Sequence, residues 1–188
     1  MRTSRAIPAA LALAAAFVLA PGLQARELAG VTMPDTLDAG GKTLKLNGMG
    51  LRKKAIFKVY VGGLYLETPT KDAAVATNDV PKVMRMQFVR SVGKDKIVEG
   101  FNEGFEANAK EKAAAQKANV DKFLAVLPDM KDGDVITYEY VPGKGTTVSA
   151  GGKDLVTIEG KDFSDALFLV WLGAKPPTED LKKGLLGG

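Results

Sequence analysis

Two residue types are missing altogether: the 188-residue chain contains neither cysteine nor histidine. Without cysteine there is no disulfide framework, so the fold has to stand on its core. Without either, zinc sites of the His/Cys type, Ser-His-Asp and Cys-His nucleophiles, and the usual haem and iron–sulfur ligands are removed. An acid or base here has to be Lys, Tyr, Asp or Glu. No cofactor or metal is expected. Charge of one sign is also in short supply. The formal net charge is +4, from a small lysine excess scattered along the chain. That pattern gives no footprint for a polyanion, and with no nucleic-acid motif no nucleic-acid partner is expected. Internal repeats, low-complexity tracts and linkers are absent.

A long apolar run occurs only at the start. Arg2 and Arg5 precede Ile7–Ala20, which is short for a bilayer span, and Pro21-Gly22 breaks it. Leu23-Gln24-Ala25 offers a small residue for cleavage. Residues 1–25 read as a secretory signal peptide, with an uncleaved anchor as the alternative. Losing Arg2 and Arg5 takes the charge from +4 to +2. The mature chain, residues 26–188, has the length of one domain with a proper core. It is expected in the periplasm, with no stable membrane span.

The stretch Gly48–Glu67 organises the rest. It opens on Gly-x-Gly, read as a turn, and continues proline-free through β-branched and aromatic residues as one long strand. Phe57, Val59, Val61, Gly63 and Tyr65 fall on one face. Ile56, Lys58, Tyr60, Gly62, Leu64 and Leu66 fall on the other. If the strand is unbroken back to Arg52, that arginine shares the face of Tyr60. Arg52 reads either as a solvated cation or as a bidentate anion-binding group. Gly62-Gly63 reads as close packing or a bulge, or as room for a ligand.

Around it, Val31–Met33 and Lys42–Leu46 read as a hairpin about Asp38–Gly41. Asp72–Thr77 is a short helical piece and Val83–Val89 a half-buried strand. Gly93–Lys117 is the main helix, with Ile97, Val98, Phe101, Phe105 and Ala109 on one apolar stripe. Its aromatics read first as core packing against the sheet, and the wall of an apolar pocket built from the same rings is compatible with that. A short helix follows at Val120–Leu127. Gly133–Val141 is a strand. Gly143–Thr146 lacks the first glycine of a phosphate loop and is a hairpin turn. The last hairpin turns at Ala150–Gly152. A buried helix runs from Lys161 or Asp162 to Leu172, and an amphipathic one from Thr178 to Leu186. Strands with segregated helices predict an α+β fold, with helices on one face of an antiparallel sheet.

Gly48-x-Gly50-x-Arg52 followed by Lys58-Val-Tyr-Val-Gly-Gly-Leu-Tyr-Leu-Glu67 resembles the chalcone isomerase superfamily, and most of all its secreted bacterial chalcone-isomerase-like branch. Pro142–Thr146, Trp171-Leu172-Gly173 with Pro176-Pro177, and Leu185-Leu186-Gly187 agree. The resemblance covers nearly all of the chain after residue 26. It implies an open-faced sandwich: a curved antiparallel sheet with helices packed on one face and a ligand cleft between them.

The plant isomerases of that superfamily use an arginine to stabilise developing negative charge during ring closure. Arg52 matches it by context. The family's strand threonine falls at Tyr60, its helix tyrosine at Lys96, its asparagine near Glu103 and its late-helix threonine at about Val170. One of five polar groups is retained, which argues against flavonoid isomerisation. In a second branch, fatty-acid-binding proteins without isomerase activity, the arginine meets the acid head group, helped by a tyrosine. The resemblance thus implies a non-enzymatic binder of a small amphipathic carboxylate. Arg52 and Tyr60 form its polar end, and Val98, Phe101, Phe105, Phe168 and Trp171 its apolar part. The alternatives are an isomerase or lyase using Arg52 with Tyr60 or Lys96 as proton donor, and a structural envelope domain without a ligand.

Overall fold

The structure, a computed structural model, describes residues 25–188; the signal-peptide reading of residues 1–25 lies outside them except for Ala25. Seven strands form one antiparallel sheet in chain order: β3 (Thr36–Ala39), β4 (Lys42–Lys54), β5 (Phe57–Leu66), β6 (Lys82–Phe88), β7 (Val135–Val141), β8 (Gly145–Ala150) and β9 (Lys153–Ile158). A separate ribbon pairs β1 (Ala25–Leu28) with β2 (Val31–Pro34). The α+β open-faced sandwich is therefore the observed class.

Period-two alternation sorts the side chains onto two faces. Tyr60, Leu64, Leu66, Met84, Met86, Phe88, Tyr138 and Val148 point into the larger core. Five helices cover that face: α1 (Lys94–Asn108), α2 (Lys110–Ala115), α3 (Lys117–Val126), α4 (Lys161–Leu172) and α5 (Glu179–Leu185). Val61, Tyr65 and Val83 point the other way, where Val31 and Met33 of the β1–β2 ribbon close a smaller core.

Three local expectations give way. Gly48–Glu67 is not one strand. The chain reverses at Ala55-Ile56, and β4 and β5 pair back along themselves. The first hairpin is not Val31–Met33 against Lys42–Leu46: β2 pairs with β1, and β3 takes its place beside β4 across Gly40-Gly41. The long helix is broken at Ala109, whose backbone leaves the helical region while its side chain is buried, and again at Gln116.

The Gly-x-Gly is not a turn either. Gly48 and Gly50 lie inside β4, where a Cβ would strike the backbone of Gly184 and of Leu181 in α5. Gly184 in turn abuts the carbonyl of Met49. Three missing side chains thus let α5 lie directly on the sheet, burying Leu181 and Leu185. Between the two glycines and Leu46 a register shift sets Asn47 into a bulge. Its buried amide donates to the Leu185 carbonyl at 2.8 Å and accepts from the Thr70 N–H at 2.7 Å. Gly62 and Gly63 leave no groove: Leu181, Leu185 and Met84 lie over the first, and Met33 over the second.

In the larger core Lys82 is fully buried. Its ammonium donates to the carbonyls of Val75, Ala76 and Asn78 at 3.2, 3.0 and 2.8 Å, closing the 3-10 turn Ala73–Ala76. Burial lowers its pKa to about 8, with Asp165 opposing the shift.

Candidate functional site

A cavity of about 670 Å³ opens between the β4–β6 part of the sheet and helices α1 and α4. This is the size of a small-molecule site. Its position follows from sheet register. Arg52 on β4 faces Tyr60 on β5, and Tyr60 faces Phe88 on β6, so the three form one row across adjacent strands. Arg52 and Tyr60 do share a face, as directly opposed partners across a hairpin rather than as neighbours on one strand. Immediately beyond them the register slips, leaving Val59 as the extra residue.

The roof is set by a close helix crossing. A Cβ at Gly104 of α1 would run into Val170 of α4, so only glycine permits this approach. Phe101 then meets the Trp171 indole edge to face, with ring centres 5.7 Å apart. The Asp129 carboxylate accepts from the Lys94 N–H at 2.7 Å and fixes the start of α1. Asn108 ties the end of α1 to the Lys175 backbone, donating to its carbonyl at 2.8 Å and accepting from its N–H at 2.7 Å. That clamp holds Lys175-Pro176-Pro177 at the cavity wall.

The lining is divided by polarity. Tyr60, Met86, Phe88, Ile97, Phe101, Val170 and Trp171 make the interior. Arg52, Lys54, Arg90, Lys96 and Lys175 also reach it, against Glu103 as the one carboxylate in the lining. Lys96 is engaged by Glu99 at 2.5 Å. Arg52 has no carboxylate partner among the described residues; its Nη1 donates to the Lys53 carbonyl.

The Tyr60 phenol is buried and accepts from Trp171 Nε1 at 3.1 Å. Burial pushes its pKa up to about 12, against the Trp171 hydrogen bond and the Arg52 charge. At neutral pH it is a protonated hydroxyl whose acceptor role is filled and whose own proton is free to be donated. An anionic group between Arg52 and Tyr60 would meet a guanidinium fork and an O–H donor.

Of the residues expected at the site, Arg52, Tyr60, Phe101 and Trp171 line this cavity. Val98 is half-buried and packs against the core without lining it. Phe105 faces the groove between α1, α2 and α3 beside Val120. Phe168 lies behind Trp171, with its ring 5.2 Å from the Lys82 ammonium. The stripe on α1 spreads over two surfaces, because α3 takes one flank and the cavity the other. Lys96, Glu103 and Val170, the positions matched to the family's remaining polar groups, all line the cavity too. Sequence reasoning missed Arg90, Lys54, Phe57 and Phe88. The Tyr60–Phe88 register that brings β6 alongside leaves no local signal in the chain.

Fold and cavity together define a class: an open-faced α+β sandwich with a small-molecule cavity between sheet and helices. The chain belongs to the chalcone isomerase-like family, whose model matches residues 25–187. Among solved structures it is similar to a fatty-acid binding protein of Arabidopsis thaliana. The identity is 14% and the TM-score 0.70, over 87% of this chain and 96% of that one. Comparison with curated protein sequences gives no match.

Proposed function

We propose that this protein is a non-enzymatic binder of a small amphipathic acid, of the fatty-acid type. Arg52 and the Tyr60 hydroxyl hold the anionic group, and the Phe88, Phe101 and Trp171 rings cover the apolar part. The observation that carries this is the division of one cavity into a cationic wall, in which Arg52 has no carboxylate partner among the described residues, and an aromatic interior. The similarity in fold to a fatty-acid binding protein supports the reading. The amino-terminal charge and apolar pattern supports export to the periplasm and a mature single domain starting at Arg26; the intact mass of the periplasmic protein tests this.

The binding test is calorimetric titration with a series of fatty acids and their methyl esters. A charge-assisted hydrogen-bonded contact is worth about 1.5–3 kcal/mol. Arg52→Ala should therefore weaken acid binding roughly tenfold to a hundredfold. Arg52→Lys should recover part of this, since an ammonium lacks the planar fork. Esters should bind weakly to the wild type and be indifferent to the substitution. Equal binding of acids and esters, or no effect of Arg52→Ala, would remove Arg52 from the site.

A further inference from the structure

The β4–β5 hairpin carries more charge and more exposed apolar surface than a turn needs. Its tip reads Arg52-Lys53-Lys54-Ala55-Ile56-Phe57-Lys58, and no acidic residue occurs from Gly48 to Leu66. Ile56 is 87% exposed and Phe57 54% exposed, the two most exposed large apolar side chains among the described residues. Two-residue hairpin turns favour Asn-Gly, Asp-Gly or glycine pairs, which accept a positive φ. Here Ala55 takes a φ of 52° and is followed by isoleucine, so turn chemistry does not account for these residues.

Charge placement points the same way. Lys53 and Lys58 are direct partners across the hairpin, and like charges so placed repel. No carboxylate among the described residues pairs with Lys53, Lys54 or Lys58; Glu99 is held by Lys96. The Arg90 guanidinium stacks 4.6 Å from the centre of the Phe57 ring, adding a fifth cation. An apolar tip inside a collar of unpaired cations is complementary to a surface with anionic groups at its face and hydrocarbon just beneath. The tip is also continuous with the cavity: Arg52, Lys54 and Phe57 belong to both.

We infer that this hairpin docks the protein on an anionic phospholipid bilayer. Ile56 and Phe57 enter the headgroup–acyl boundary, and Arg52, Lys53, Lys54, Lys58 and Arg90 lie against the phosphates. The surface interaction stands on the hairpin alone. Its use, passing an amphipathic acid between bilayer and cavity, rests on the binding function proposed above.

The test is flotation of the mature protein with vesicles of phosphatidylcholine alone, or of phosphatidylcholine with phosphatidylglycerol at about three to one. Three proteins are compared: wild type, Ile56→Ser, and Lys53→Gln/Lys58→Gln. None of these residues lines the cavity, so the titration with free fatty acid is run on the same samples and should be unchanged. Wild type should float with the anionic vesicles, not with the neutral ones, and come off as salt is raised. A lysine near an anionic surface contributes about fivefold in affinity, so the double lysine variant should bind roughly 25-fold more weakly. Ile56→Ser should lose roughly tenfold or more, for one aliphatic side chain kept out of the apolar boundary.

Wild type left in the soluble fraction with both vesicle types overturns the proposal, as does flotation of the variants equal to wild type. Self-association abolished by Ile56→Ser, with no flotation, assigns the tip to a second copy of the chain and overturns it equally. Flotation of wild type without fatty-acid binding keeps the docking surface and rejects the cavity reading. Fatty-acid binding without flotation does the reverse.

Discussion

Replacing Gly50 by alanine tests how the carboxy-terminal helix is seated. An alanine Cβ at this point of β4 would overlap the carbonyl oxygen of Leu181 and crowd its Cα, both parts of α5's backbone. Backbone cannot rotate aside, so either the helix shifts or it leaves. A shift costs about 1–3 kcal/mol, the usual range for overpacking. Release exposes Leu181 and Leu185, both fully buried, at about 1.5–3 kcal/mol each, which sets an upper range of about 3–6 kcal/mol. Gly100 is the internal control. It lies within α1, and nothing stands within 4 Å of where its Cβ would be. Gly100→Ala should therefore stabilise the protein by about 0.5–1 kcal/mol, through helix propensity alone. Urea unfolding followed by fluorescence of Trp171, the single tryptophan, reads both. If α5 detaches before the global transition, the denaturant slope of Gly50→Ala also falls. A Gly50→Ala protein as stable as the wild type would mean that α5 does not lie on β4 as described, and would refute the close-packing role of the Gly-x-Gly pair.

The tyrosines give a pH prediction. The chain has four. Desolvation raises Tyr60 and Tyr65 to about 12, and it raises Tyr138 and Tyr140 as well, the latter with help from the Asp79 carboxylate. The native protein should show almost no tyrosinate absorbance at pH 10, where a free phenol is half ionised. Because the folded values lie above the unfolded value, their contribution to stability is complete below pH 10 and is lost as pH rises from about 10 to 12. Native ultraviolet titration with a midpoint near 10 would contradict the burial of these rings. For the larger core, Phe101→Ala should cost about 3–5 kcal/mol, since that ring touches Phe105, Phe123, Tyr138 and Trp171. A loss below about 1 kcal/mol in the same urea assay would place it outside the core. Chalcone cyclisation should stay at its uncatalysed rate, because Lys96, Glu103 and Val170 stand at three of the family's polar positions around the cavity. Turnover abolished by Arg52→Ala would overturn that expectation.

Much of the fold is written locally. Period-two alternation placed Tyr60 and Leu64 on one face and Val61 and Tyr65 on the other, and the two cores divide them that way. The apolar stripe of α1, the all-round apolar character of α4 and the cap at Thr178 are short-range patterns that a chain states directly. Arg52 stands out through its family context, and its shared face with Tyr60 reads along one unbroken strand, whereas the two meet across a hairpin. What the sequence by itself could not determine is where backbones approach and which strands become neighbours. Glycine marks both turns and close packing, and only the seat of α5 tells the Gly48–Gly50 pair from a turn. A hairpin at Ala55-Ile56 carries no turn signal, so β4 and β5 read as one strand until pairing separates them. Arg90 and Phe88 reach the cavity only through the register of β6 on β5, which pairs residues as distant in the chain as Tyr60 and Phe88. The aromatic stripe fixed which rings are buried. The break at Ala109 and the crossing of α1 on α4 at Gly104 decided which of them face the cavity, because those choices depend on what packs against each flank and not on the spacing of the residues themselves.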